Sequence, residues 1–460
     1  MIGETMPAYI LVGCLGLLCV FPFFRRTANR DIFEPLYAVS AMYFLYFGFF
    51  TLHLMRVDDN YQRLIPASFE TLELALLYTI LGFFSLQVAY YSPIPEWLSR
   101  ILPNASTLLN VDDQVVSRLV YWTYALGNAM RLFLVYQGWH VKFDARTLVG
   151  VVPAYGYIID YLSILAPLGF MLGCVYWMAG HDKPFFTFLV WFVMFPAEII
   201  FAFLSGSKGA FIPVVAAPLL GRFYFRKRQV PYLSLLIAFL FMAFIVTPGV
   251  TAIRANDAEQ LRSMPFFEGL QYAAVNAAST TLEGGPEVYV GNAYETVIER
   301  LNGSGVFGVV IESTPDYLPY QYGRTFIGGL VVLLIPTFVY PQKYEVYKDV
   351  ADWAYLVFHK EGIGGIAITQ VGEFYLNFHI VGVVLGMFFL GLLYRTSYVF
   401  LSRNRTAVSL WIYIVLWSMF LLIEYPLAAW FSNMIKQVAI IFVIIFASKI
   451  FPRKTMRLTE

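Results

Sequence analysis

Apolar residues in this chain fall in long, nearly continuous runs, not in the alternating or 3.6-residue patterns of half-buried elements. Each run approaches the roughly 20 residues that a helix needs to cross a bilayer. Read at that length, the sequence predicts about eleven spans, at 8–24, 36–55, 72–91, 116–137, 157–178, 185–204, 210–225, 232–248, 380–401, 408–427 and 435–450. The sixth and seventh form a tight hairpin through Ser205, Gly206, Ser207, Lys208 and Gly209. A further apolar stretch, 327–340, is short and interrupted by Gly328, Gly329 and Pro336, so it reads as buried or lying at the interface. The expected fold is therefore all-α and polytopic, an integral membrane protein. Three regions follow: a bundle of eight spans at 1–248, a large loop region at 249–379 with short helices and a re-entrant segment, and three last spans at 380–460. Within the loop the pattern predicts helices over 265–281 and 292–301, with a turn at Glu283, Gly284, Gly285 and Pro286 between them.

Composition strengthens this picture. The chain is 59% hydrophobic and 13% charged, with a mean hydropathy of +0.66, outside the range of a soluble domain. Lys and Arg number 31 against 30 Asp and Glu, so no global basic field points to nucleic acid. Cys14, Cys19 and Cys174 lie in apolar runs at no metal-binding spacing, and an odd count argues against a disulfide framework. Arg25 and Arg26 follow the first run where a signal peptide would carry a small-residue cleavage site, so 8–24 is expected to be a retained span. Basic clusters at Arg25/Arg26/Arg30, Arg222/Arg226/Lys227/Arg228, Arg395/Arg403/Arg405 and Lys449/Arg453/Lys454/Arg457 all fall on one side of the eleven spans. The cytoplasm retains such clusters, which places the N-terminus outside, the C-terminus inside and the 249–379 loop outside.

Cations on the outer side run against that bias and need a reason. They are Lys208 in the hairpin, Arg254 and Arg262 after the eighth span, Arg300, and Arg324 in Tyr320-Gln321-Tyr322-Gly323-Arg324. Guanidinium groups beside tyrosines suit a diphosphate, because the planar fork matches phosphate oxygens. Arg262 and Arg300 stand among acidic neighbours and read better as solvated surface pairs. Arg131 and Glu198 sit inside spans, where an ionisable group is either a ligand or half of an interhelical ion pair. Gln370, Glu373 and Asn377 share a helical face near the ninth span. Glu373 is then a candidate general base or a helix-terminal carboxylate, and His379 is the other candidate base. The chain has no GxxxxGK[ST], HExxH or CxxC pattern. Its adjacent acidic pairs, Asp58-Asp59 and Asp112-Asp113, lie in polar connections, so metal-independent chemistry without a cofactor is expected.

The layout resembles the bacterial O-antigen and oligosaccharide repeat unit polymerases of the Wzy type. The resemblance rests on the many spans, the Ser205–Gly209 hairpin, and the outer loop with Arg254 and Arg324. It rests also on Ile335-Pro336-Thr337-Phe338-Val339-Tyr340-Pro341-Gln342-Lys343 and on the run from Gly372-Glu373-Phe374-Tyr375-Leu376-Asn377-Phe378 to Gly391. Lys208 stands where such proteins often carry Arg, and Tyr340 where Trp is common. The resemblance implies a GT-C-like helical fold in the bacterial cytoplasmic membrane with its site facing the periplasm. It implies transfer of a growing glycan from undecaprenyl diphosphate to a lipid-linked repeat unit, beside a flippase and a chain-length regulator. Arg254, Arg324 and Lys208, with Arg300 and Arg131, would bind the diphosphate and glycan. Glu373 or His379 would take the acceptor's proton, and Tyr320, Tyr322, Tyr375 and Asn377 would line the sugar site. Two rival readings stay open: a lipid-linked glycan ligase, and a lipid or polyol transporter or flippase.

Overall fold

The computed structural model describes residues 6–24, 31–55, 68–102, 109, 111–137, 153–205, 207–226, 232–246, 301–337, 339–340, 342–343, 346, 368–402 and 406–450, and the single positions 264, 268, 271, 272, 275, 294, 297 and 298. Every regular element among them is helical. α1 (Met6–Phe24) is apolar throughout. α2 (Pro35–Leu54) starts on a proline, whose missing N–H would have had no partner at a helix start. α3 (Phe69–Tyr91) is capped by Ser68, whose hydroxyl accepts the Thr71 N–H at 3.3 Å. The short α4 (Ile94–Ile101) buries Pro95 and Ser99 and exposes Trp97 and Ile101. α5 (Asp113–Tyr136) is capped by Asp112, which accepts the Gln114 N–H at 3.1 Å, so one acidic pair serves as a helix start. α6 (Tyr155–Met178), α7 (Pro184–Leu204), α8 (Phe211–Gly221) and α9 (Tyr232–Val246) complete the first part. Beyond it come α10 (Gly303–Ser313), α11 (Arg324–Leu334), α12 (Gln370–Ser402), α13 (Ala407–Phe420) and α14 (Leu427–Ile450).

Seven of these helices, α1, α2, α3, α6, α7, α12 and α14, are long and apolar enough to cross a membrane. α5, α8, α9 and α13 occupy the other four predicted runs. α11 is 11 residues long, about 16 Å, and too short to cross the roughly 30 Å of hydrocarbon.

Three boundaries differ from the sequence reading. The predicted span 408–427 ends at Phe420, and the next helix starts at Leu427 instead of 435. The polar residues Ser432, Asn433, Lys436 and Gln437 lower the hydropathy there without ending the helix. The predicted ninth span begins ten residues early, at Gln370, and is broken at Phe378 and His379. A further difference is α10, which lies in a part of the 249–379 region where the sequence predicts no helix. Eight of its residues are buried, from Gly303 to Ile311.

Phe307, Val310 and Ile311 of α10 join the same core as Leu15 of α1, Phe47 of α2, Leu86 of α3 and Leu376 of α12. A second core gathers α5–α8, α13 and the far half of α14 around Phe170, Val175, Leu220 and Trp411. Small residues set the close helix crossings, since lipid tails supply no hydrophobic drive between helices. A Cβ at Gly391 would lie 2.2 Å from the Leu86 carbonyl oxygen, and one at Gly127 would lie 2.1 Å from Ala166 N. The predicted helices 265–281 and 292–301 and their turn lie largely outside the described residues.

Candidate functional site

The break in α12 organises the site. Phe378 (φ −143°, ψ 25°) and His379 (φ 55°, ψ −153°) leave helical geometry, so carbonyls just before them lose their N–H partners four residues on. Residues 321–323 replace those partners. The Gln321 N–H donates to Leu376 O at 3.1 Å, the Tyr322 N–H to Asn377 O at 3.1 Å, and the Gly323 N–H to Asn377 Oδ1 at 2.7 Å. This exchange requires unusual backbone at 322–323. Gly323 adopts φ 87°, open to glycine at no steric cost, whereas Tyr322 at φ 45° and His379 at φ 55° are strained and held by these bonds.

Below the break lies a buried polar knot. Glu373 is 3% exposed, and its carboxylate accepts the Thr325 hydroxyl at 3.0 Å and the Leu427 N–H at 2.6 Å. Asn377 Nδ2 donates to Thr325 Oγ1 at 2.7 Å and to Glu373 O at 2.8 Å. The Gln370 N–H donates to Ile423 O at 3.0 Å. One side chain thereby fastens the first turns of α12 to the start of α11 and the start of α14. The helix start that the Glu373 carboxylate serves is that of α14 and not that of its own helix, which neither reading of the sequence anticipated. Thr325 and the Leu427 N–H were not legible as site groups; no local spacing announces partners brought in by packing.

Above the break, His379 is exposed and sits among aromatic rings. Its ring centroid lies 5.0 Å from Tyr375, 5.7 Å from Tyr320 and 6.3 Å from Tyr78. Tyr375 is buried and stacks on Tyr78 at 5.6 Å, while Tyr320 is half-buried. Tyr322 and Arg324 are exposed on the segment bonded to α12. The structure therefore brings together Glu373, Asn377, His379, Tyr320, Tyr322, Tyr375 and Arg324, and adds Tyr78 and Thr325.

Other candidates lie elsewhere. Arg131 is 9% exposed, and its guanidinium holds Glu198 through two hydrogen bonds, of 2.6 and 3.1 Å, while its Cζ lies 4.7 Å from the Phe201 ring. This is the interhelical ion pair of the two readings. Lys208 starts a 3₁₀ turn, Lys208–Ala210, in the predicted hairpin. Arg254, Arg300 and Asp58-Asp59 lie outside the described residues.

The Ile335 to Lys343 segment acquires a physical role. Lys343 is 2% exposed, and its Nζ donates to Ile335 O at 2.6 Å and to Leu333 O at 3.5 Å, covering carbonyls left open at the end of α11. Burial, and secondarily the charge of Lys436, push the Lys343 amine down to about 8. An unfolded lysine titrates near 10.4, so between about pH 8 and 10.4 the unfolded chain binds more protons and stability rises with pH. Below pH 8 both states are protonated and this contribution is flat. Lys343→Met is expected to remove that rise, as read by thermal unfolding of both proteins from pH 7 to 10; parallel profiles would refute the buried amine.

Fold and site together define an all-helical chain compatible with a membrane protein, built around a broken helix and a short apolar helix that share one polar knot. The family described as a domain of unknown function (DUF8712) matches residues 123–399, more than half of the chain, and the chain belongs to that family. The match includes the Arg131–Glu198 pair and, from the knot, Thr325, Gln370, Glu373 and Asn377. No curated protein and no solved structure matches the chain.

Proposed function

We propose that the protein is an oligosaccharide repeat unit polymerase, a glycosyltransferase that crosses the bacterial cytoplasmic membrane about eleven times with its N-terminus outside and its site at the periplasmic face. The observation that carries this reading is the broken α12. The break fixes an exposed imidazole, His379, in a wall of tyrosines and bonds it through Asn377 to the segment bearing the exposed Arg324.

In the proposed step an acceptor hydroxyl of the lipid-linked repeat unit attacks the anomeric carbon of the growing glycan. The bond from that carbon to the undecaprenyl diphosphate oxygen breaks, and its electron pair stays on the diphosphate. His379 takes the hydroxyl proton, and Arg324 neutralises the departing charge. Arg254, Lys208 and Arg300 are further cations assigned to the diphosphate and glycan by resemblance. Glu373 acts as a positioning residue, since both its carboxylate oxygens are engaged by protein donors.

His379→Asn removes the imidazole base, and Arg324→Ala removes the cation. Each is expected to lower polymer formation by about 10²-fold or more at normal membrane levels, measured with purified lipid-linked repeat units in proteoliposomes. Wild-type polymer from both variants would refute the assignment. Chain growth without another acceptor separates polymerase from ligase. The break in α12 also favours a second reading, transport, because discontinuous helices form substrate sites in transporters. Flux of the lipid-linked unit without bond formation in the same proteoliposomes would select it.

A further inference from the structure

Along α12, Arg395 lies sixteen residues beyond His379, about 24 Å away on a helical rise. There a cavity of about 510 Å³ opens where α1 ends, α2 begins and α3 passes into α4. That volume falls within the roughly 300–1,000 Å³ of small-molecule sites. Among the described residues its charged lining is one guanidinium and two carboxylates. Arg395 bonds Glu34 at 2.5 Å and Glu96 at 3.2 Å, and the Tyr90 hydroxyl donates to Glu34 at 2.8 Å. The three charged side chains keep 25%, 19% and 35% of their surface exposed, so none is sealed inside the protein.

The lining discriminates by chemistry. A simple anion meets two carboxylates for one guanidinium, and a simple cation meets Arg395. A zwitterion with separated ends satisfies both, because an ammonium donates to carboxylates while the guanidinium fork accommodates phosphate oxygens. Beside the cavity, α4 turns Trp97 (60% exposed) and Ile101 (61%) outward. An amphipathic helix with an outward Trp is suited to headgroup depth at a membrane surface.

We propose that this cavity binds a phosphoethanolamine group, with its ammonium on Glu96 and its phosphate toward Arg395. The same group occurs on phosphatidylethanolamine and as the free zwitterion, and the site is independent of the proposed polymerase centre. The test uses the full chain in detergent, with native mass spectrometry and thermal unfolding as readouts. The probes are phosphatidylethanolamine, phosphatidylcholine, phosphatidylglycerol and soluble phosphoethanolamine.

Phosphatidylethanolamine is expected to bind about tenfold tighter than phosphatidylcholine, because methylation removes the ammonium donors that Glu96 accepts. Glu96→Gln, at the most exposed of the three charges, is expected to narrow that ratio to about twofold. Ser92→Phe, which fills the cavity, is expected to weaken phosphatidylethanolamine about tenfold while leaving the lipid-free melting temperature unchanged. Competition by soluble phosphoethanolamine would identify a soluble ligand, and its failure beside tight lipid binding would identify the lipid; either supports the site. Equal binding of the two lipids by the wild type, or a tenfold preference surviving in Glu96→Gln, would overturn it.

Discussion

Arg131→Ala is expected to cost the protein about 3–5 kcal/mol, because it strands the Glu198 carboxylate, 2% exposed, between α5 and α7. The pair is held by two hydrogen bonds and by the Phe201 ring under the guanidinium, so no other described cation takes the place of Arg131. Glu198→Ala should cost a similar amount. The double replacement Arg131→Met with Glu198→Leu removes both charges and keeps the volume, and it is expected to be nearly neutral. Thermal unfolding in detergent distinguishes the three variants. If Arg131→Ala melts with the wild type while activity falls, the guanidinium serves substrate and the structural reading fails.

The second large effect is expected at Glu373. Replacement by Ala leaves the Leu427 N–H and the Thr325 hydroxyl buried without their acceptor, at about 1–3 kcal/mol for each stranded group. It also releases α11 and α14 from the broken helix, so polymer formation should fall together with stability. Glu373→Gln keeps an acceptor for Leu427 and the shape of the side chain. It is expected to retain most of the fold and a measurable activity, which a positioning residue allows and a general base does not. A Glu373→Gln protein that folds normally and makes no polymer would return the base role to this carboxylate.

How much of this was legible beforehand depends on the range of the interactions. Long apolar runs announced the helices because hydrocarbon leaves a backbone few alternatives. The spacing of Gln370, Glu373 and Asn377 announced a shared face because helical neighbours are set by local geometry. Thr325 and Leu427 stand 48 and 54 residues from Glu373, and nothing in the local pattern of either pointed to a carboxylate. α10 escaped notice for a related reason. Its glycines weaken any helical signal, yet they let it approach the Tyr46 backbone, where a Cβ on Gly303 would sit 3.0 Å from the carbonyl oxygen. Lys343 stood in the sequence only as the end of the segment from Ile335, and nothing local linked its amine to the open carbonyls of α11.

The position of α10 has a consequence for assembly on the ribosome. Its Phe307 shares a core with residues from α1, α2 and α3, which are synthesised more than two hundred residues earlier, and with Trp430, made more than a hundred later. The earliest helices therefore keep an unfilled seam until the chain beyond position 300 returns to close it. Late closure of this kind makes folding slow and lengthens the exposure of unfinished surfaces to chaperones and membrane proteases.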